Sequence, residues 1–246
     1  MSGHSKWHKL KNRKGKTDAA RANVFTKLCR AVTMAAMQGG GDPTMNFSLR
    51  LAVEKARAAN VPKDNIDRAI KRGTGEANDG VILETLRYEG FGPEGSAFLV
   101  EAVTDNRNRT VSDIKHLFSK HGGSLAGPGA VEWQFQHRGV IHVPAEHLET
   151  LLPKKDEAEL DLIDRGAEDL VWGEDGLEII TDPTHFQKVL ELLESWHIAP
   201  KESGLEWVAK ESLTVSEEVL EKVFALYEAL DEHDDVKAVY TNVHAT

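Results

Sequence analysis

The chain has 246 residues, 40% of them hydrophobic and 28% charged, enough to bury an ordinary core in one or two domains without disulfide or metal staples. Its longest uncharged runs, 31–41 and 121–131, are eleven residues each, roughly half of what a membrane-spanning helix needs, so no membrane crossing is expected. The basic N-terminus lacks the apolar stretch of a secretory signal, and Cys29 is the only cysteine, which excludes an internal disulfide and a Cys-rich zinc module. A cytoplasmic protein is the expectation.

The formal charge of −10 hides a division: residues 1–79 carry 16 Lys and Arg against 7 Asp and Glu, whereas residues 80–246 carry 14 against 33. The chain is thus +9 at one end and −19 over the rest. Such a polarity suggests a polyanion-binding arm on an acidic body.

Residues 1–17 are polar and aperiodic and read as an arm ordered by a partner. Phe25, Leu28, Cys29, Val32 and Ala36 then fall at helical spacing, and Gly39-Gly40-Gly41-Asp42-Pro43 stops that helix. Leu49, Ala52, Val53 and Ala56 repeat the pattern, with Asn60 suited to the helix end, and a short third helix after Pro62 buries Ile66, Ala69 and Ile70. The turn-rich stretch 73–80 reads as a linker.

Beyond it the period changes to two, and strands are expected at 82–88 and 97–103 around the turn residues 89–95. A helix follows, with Thr110 and Asp113 at capping-box spacing, Val111, Ile114 and Phe118 as its stripe, and Gly122 as a left-handed cap. A strand is expected at 130–135. Residues 139–209 form a β-α-β-β-α-β order: strand 139–143, a helix ending at Gly166, strand 169–172, a turn at 173–176, strand 177–181, a helix opened by Asp182-Pro183, and strand 205–209. This is the ferredoxin-like split unit. A helix at 215–230, with Thr214 and Glu217 as its capping box, and a strand at 236–240 complete the sheet begun at residue 82. The expected fold is α+β: an all-helical N-terminal domain followed by two α/β domains, the second a ferredoxin-like unit inserted in the first. The boundaries are 1–79, 80–138 with 210–246, and 139–209.

The N-terminal run His4, Ser5, Lys6, Trp7, His8, Lys9, continued by Lys11, Arg13, Lys14 and Lys16, contains no acid. Its cations suit phosphates and its tryptophan suits base stacking; alternatively, Trp7 docks on the helical domain and the charges only solvate the arm. Asp105-Asn106-Arg107-Asn108-Arg109-Thr110 lies between a strand and a helix, where Arg107, Asn108 and Arg109 can present donors to an anion beside the helix N-terminus. Equally, Asp105 and the two arginines can pair and brace the turn. The acidic run 231–235 lacks the spacing of a calcium loop and reads as a solvated turn. The glycine clusters at 39–41 and 122–123 do not match a phosphate loop and read as helix stops, and Cys29 reads as a core thiol. Eleven histidines form no triad or metalloprotease motif. No catalytic residue, cofactor site or metal site is expected.

Several segments together resemble the YebC/PmpR family: Gly3-His4-Ser5-Lys6-Trp7, Gly39-Gly40-Gly41-Asp42-Pro43, Tyr88-Glu89-Gly90-Phe91-Gly92-Pro93, Asp105 to Thr110, the Gly122-Gly123 turn leading to Val131, Trp133 and Phe135, and Asp234-Asp235-Val236. His8, Ser124, Ala126 and Ala130 depart from the residues common there. The resemblance covers nearly the whole chain and implies a helical domain and two α/β domains, one inserted in the other. It also implies two functions: a transcriptional regulator that binds DNA, or a ribosome-associated translation factor, since a mitochondrial relative activates translation of a cytochrome oxidase subunit and bacterial members are linked to relief of stalling on proline-rich sequences. In either case the expected partner is nucleic acid, DNA or ribosomal RNA, with the acidic domains facing the transcription machinery or the ribosome. No recognition helix of the helix-turn-helix kind is visible, and a −19 body is repelled by long duplex flanks. An enzyme acting in an inter-domain cleft has no supporting motif.

Overall fold

The computed structural model describes residues 18–77 and 83–244. Three helices come first: α1 (Asp18–Gly39), α2 (Phe47–Ala58) and α3 (Lys63–Gly73). The 3.6-residue period of their apolar positions dictates how they pack. Val32, Ala36, Leu49, Val53, Ala56, Ile66 and Ala69 close one small core, and Phe25, Leu28, Cys29 and Ile70 lie partly buried against it. Burial raises the Cys29 thiol pKa, as an apolar setting should. Asn60 ends α2 in the left-handed region, φ 62°.

A four-stranded sheet follows, with strands β1 (Glu84–Phe91), β2 (Ala97–Thr104), β3 (Ser124–Ala126) and β9 (Val236–Thr241) in the order β3-β1-β2-β9. The strand at 236–241 therefore does complete the sheet begun after the helical region. β1 runs three residues beyond the expected strand because Glu89, Gly90 and Phe91 pair on both sides, with β2 and with β3. Gly90 cannot be replaced here without movement, since a Cβ would stand 2.7 Å from the Phe118 ring and 2.8 Å from a backbone oxygen. That ring belongs to α4 (Arg107–Lys120) and meets Phe98 of β2 edge-on, centroids 5.9 Å apart.

The second sheet contains β4 (Phe135–Pro144), β5 (Ala167–Gly173), β6 (Gly176–Thr181) and β7 (Glu202–Ala209), in the order β5-β6-β4-β7 with every neighbour antiparallel. With the short α5 (Leu148–Leu151), α6 (Lys155–Asp164) and α7 (Phe186–Ser195) in the crossovers, this is the expected split β-α-β-β-α-β order. Ile141, Leu162, Leu177, Ile179, Val189 and Leu193 are its buried centre; each such side chain contributes ~1.5–3 kcal/mol. A two-residue strand β8 (Leu213–Thr214) pairs with β10 (Val243–His244), and α8 (Glu217–Asp231) precedes β9.

Among the described residues the chain forms two compact units. One holds the helical region and the first sheet up to Ala130 together with Lys222–Val239; the other holds Val131–Glu221 and the chain from Tyr240 onward. No helix among the described residues is long and apolar enough to cross a membrane.

Three local expectations are corrected. Thr110 does not cap α4; the helix begins three residues earlier, where the Asn106 side chain accepts from the Arg109 N–H at 3.1 Å. The alternation Val131, Trp133, Phe135 is not a strand: Glu132–Gln134 is a 3₁₀ turn, β4 starts only at Phe135, and the short strand after Gly123 is β3. Before α8, Thr214 lies in β8, and the Ser216 hydroxyl accepts from the Val219 N–H.

Candidate nucleic-acid interface

The loop between β2 and α4 is built around an acid that lies far away in sequence. Asn106 begins α4, and its own N–H donates to the Thr104 hydroxyl at 2.9 Å. This turn aims Thr110 inward, where its hydroxyl donates to Asp235 Oδ2 at 2.6 Å and lies 2.8 Å from Thr104 Oγ1. Arg109 Nη2 reaches Asp105 Oδ1 at 2.8 Å and Asp235 Oδ2 at 3.0 Å. From α1, Arg30 Nη1 approaches Asp235 Oδ1 at 2.7 Å and donates to the Val103 and Asp234 carbonyls. One α1 turn earlier, Lys27 pairs with Asp231 at 3.2 Å and donates to its carbonyl.

Asp235 is only 2% exposed. Burial alone would raise its pKa, but the Thr110 hydroxyl and the guanidiniums of Arg109 and Arg30 overcome that and hold the carboxyl at about 2. The same contacts push Arg109 further toward its charged form. The expectation of a solvated turn at 231–235 is therefore corrected at its last residue. That turn has a folded side: the Asp235 N–H donates to His233 Nδ1, and His233 Nε2 lies 3.4 Å from Asp113 of α4.

Of the two readings of the 105–110 loop, the bracing one describes Arg109, whose guanidinium is occupied by Asp105 and Asp235. Arg107 and Asn108 differ. Both are exposed on the first turn of α4, and among the described residues Arg107 makes no ion pair. The Asn106 cap uses the Arg109 N–H, and among the described residues the N–H groups of Arg107 and Asn108 have no partner, as expected for the open donors of a helix start. His4, Ser5, Lys6, Trp7, His8, Lys9, Lys11, Arg13, Lys14 and Lys16 lie outside the described residues. Sequence reasoning missed Asp235 and Arg30 as organisers of the loop; the one available signal was an acid placed directly before the apolar start of a strand. Among the described residues no group of three or more His, Cys, Asp or Glu side chains is arranged to hold a metal ion.

Two family models match this chain, one described as the TACO1/YebC protein N-terminal domain over residues 5–76 and one as the TACO1/YebC second and third domain over residues 83–243. A probable transcriptional regulatory protein of Fusobacterium nucleatum is 45% identical over 243 residues, spanning 98% of this chain and 95% of that protein. One of the same description from Persephonella marina is 46% identical over 246 residues, spanning 98% and 95%. The crystal structure of a conserved hypothetical protein from Aquifex aeolicus superposes with a TM-score of 0.82 at 39% identity and covers 96% of each chain. With both family models together spanning most of its length and relatives matching from end to end, the chain belongs to the TACO1/YebC family.

Proposed function

We propose that this protein is a nucleic-acid-binding regulator, a DNA-binding transcriptional regulator in the first instance, acting in the cytoplasm without enzymatic chemistry. The observation that carries this reading is the exposed first turn of α4, where Arg107 has no acidic partner among the described residues and two backbone N–H groups stand open beside it. Cation, open donors and helix dipole act on the same volume, the combination that favours a phosphate. The run from His4 to Lys16 supplies a second and larger basic element in sequence. The names of the relatives, probable transcriptional regulatory proteins, support the same reading. In it, residues 1–79 are the main nucleic-acid-binding part and the first turn of α4 adds a second contact, while the rest of 80–138 with 210–246 and the inserted 139–209 face protein.

A second reading is a ribosome-associated translation factor that relieves stalling on proline-rich sequences. What favours it is charge: 33 acids against 14 cations over residues 80–246 suit basic ribosomal proteins better than the flanks of a long duplex. Duplex binding and co-sedimentation with ribosomes, measured at one salt concentration, separate the two. Tight operator binding without ribosome association supports the transcriptional role, and the reverse supports the translational one. Failure of both overturns the nucleic-acid reading.

A further inference from the structure

The helical region presents an unusual surface at the start of α2. Phe47 is 57% exposed and Met45 85% exposed, with Met37 and Leu51 also turned outward. Large apolar side chains this close together on a small helical bundle need an explanation, since the local sequence had nearby core positions to fill. The helix is not free to rotate them inward. Asn46 caps α2 by accepting from the Leu49 N–H at 3.0 Å, and its amide donates to the Ala35 and Gly40 carbonyls at the end of α1, 2.8 Å each. The Asn46 side chain is itself buried, and a Cβ on Gly39 would stand 2.6 Å from its amide nitrogen. Upstream, Asp42 Oδ1 accepts from both the N–H and the hydroxyl of Thr44. The phase of α2 is thus pinned: Leu49, Val53 and Ala56 face the core, and Phe47, Arg50 and Leu51 face solvent.

Arg50 lies over the Phe47 ring, its guanidinium carbon 5.2 Å from the centroid. More than half of the phenylalanine stays open with the guanidinium in place. Beside this pair is a hollow of about 310 Å³ lined by Pro43, Thr44, Arg50, Val53, Glu54 and Arg57. Arg50 and Arg57 are two helical turns apart on one face, about 10 Å along the axis.

We infer that Phe47 and Arg50 form a nucleobase-stacking ledge for single-stranded RNA or DNA, with the strand's phosphates running past Arg50 and Arg57. Every base offers a π-face, so a fixed aromatic beside paired cations binds a strand with little sequence preference. Charge selects this occupant over an apolar protein partner: the exposed residues around the ledge carry Arg50, Lys55 and Arg57 against Asp42 and Glu54, and residues 18–77 hold ten Lys and Arg against six Asp and Glu. The inference rests on the nucleic-acid reading above and adds a contact separate from both the N-terminal run and the α4 loop.

The test uses the full chain and a fluorescein-labelled oligoadenylate, with Phe47→Ala, Phe47→Leu and Phe47→Trp compared after their thermal stability has been matched to wild type. Phe47→Ala and Phe47→Leu should both weaken binding about five- to hundredfold, the equivalent of about 1–3 kcal/mol per stacked base, and Phe47→Trp should restore it. Phe47→Ala should leave the salt slope unchanged, whereas Arg50→Ala should reduce it by about 0.7. Glu54→Gln should tighten binding. The ledge is overturned if Phe47→Ala binds oligoadenylate as wild type does, or if Phe47→Leu retains full affinity, which marks an apolar protein-docking face. Wild type that binds duplex DNA or ribosomes but not oligoadenylate overturns the ledge and leaves the wider function standing; wild type that binds none of them overturns both.

Discussion

Arg109 and Asp235 are 126 positions apart in sequence and 3.0 Å apart in space. Asp235 also receives Arg30 of α1 on its other oxygen, so a single buried carboxylate ties the helical region, the start of α4 and the start of β9 together. Two cations and two hydroxyls around one acid make the acid the member whose loss costs most, because the remaining partners cannot satisfy each other.

Asp235→Asn should therefore destabilise the protein by about 2–3 kcal/mol at neutral pH. Its carboxyl is held at about 2 in the fold, below the ordinary 3.8, so its stabilisation is fully present above the ordinary value. It is lost as pH falls from about 4 toward 2. Denaturant unfolding at pH 7 and pH 2.5 should show the gap between wild type and the variant closing with acid; a constant gap would remove the ionised carboxylate from the explanation.

The two arginines of the α4 loop should behave differently. Arg107→Glu should weaken nucleic-acid binding and lower the duplex salt slope by about 0.9 while leaving thermal stability unchanged. Arg109→Glu should lower stability, since it sets a carboxylate against Asp105 and Asp235, and Arg109→Lys should recover only part of it without the planar fork. Titration of duplex DNA into each variant, paired with melting curves, checks both, and an Arg107→Glu protein that binds like wild type excludes the loop from the interface.

Deleting residues 1–16 should remove most nucleic-acid affinity and leave the melting temperature intact, because that run holds six Lys and Arg and no periodic apolar face. The salt slope of the full chain on duplex DNA should be about −5 if all six meet phosphates. Undiminished affinity after truncation would refute the arm.

Glu178 gives a prediction of opposite sign. It lies on β6, 6% exposed, with its carboxyl pushed up to about 7 by burial first and then by Glu206 and Asp169. Between its ordinary 4.5 and that value the native state holds a proton the unfolded chain has released, so stability should fall as pH rises through this window. Glu178→Gln should abolish that loss and gain on the order of 2 kcal/mol at pH 8 relative to pH 5. Parallel unfolding curves for both proteins at the two pH values would contradict the assignment.

The helices were legible from sequence because their apolar positions repeat at the period their packing requires, and the split unit because its turns carry Gly166, Gly176 and Asp182-Pro183 at the element ends. The 130–135 segment misled because alternation mimics a strand. Its Trp133 is exposed, and the Trp133 and Gln134 carbonyls accept from the Lys210 ammonium and N–H, a long-range pairing that spacing does not announce. Thr110 misled for a related reason. Its hydroxyl has the spacing of a helix cap, whereas its partner in the fold is Asp235. The candidate site was half legible: the loop could be found from local chemistry, but which arginine is occupied depended on an acid outside the window.

Arg30 precedes its carbonyl partner Asp234 by 204 positions, so the order of synthesis becomes a constraint. A ribosome delivers both guanidiniums before the inserted sheet and their shared carboxylate only after the whole of that sheet has been made. The helical bundle and the split unit can each condense on local contacts while the chain is still growing, but β9 and its acid arrive after both and complete the edge of the first sheet. Closure of that unit is thus a late step set by chain length and not by local propensity, and a message broken before codon 235 yields a nascent protein whose first domain is present yet unfastened.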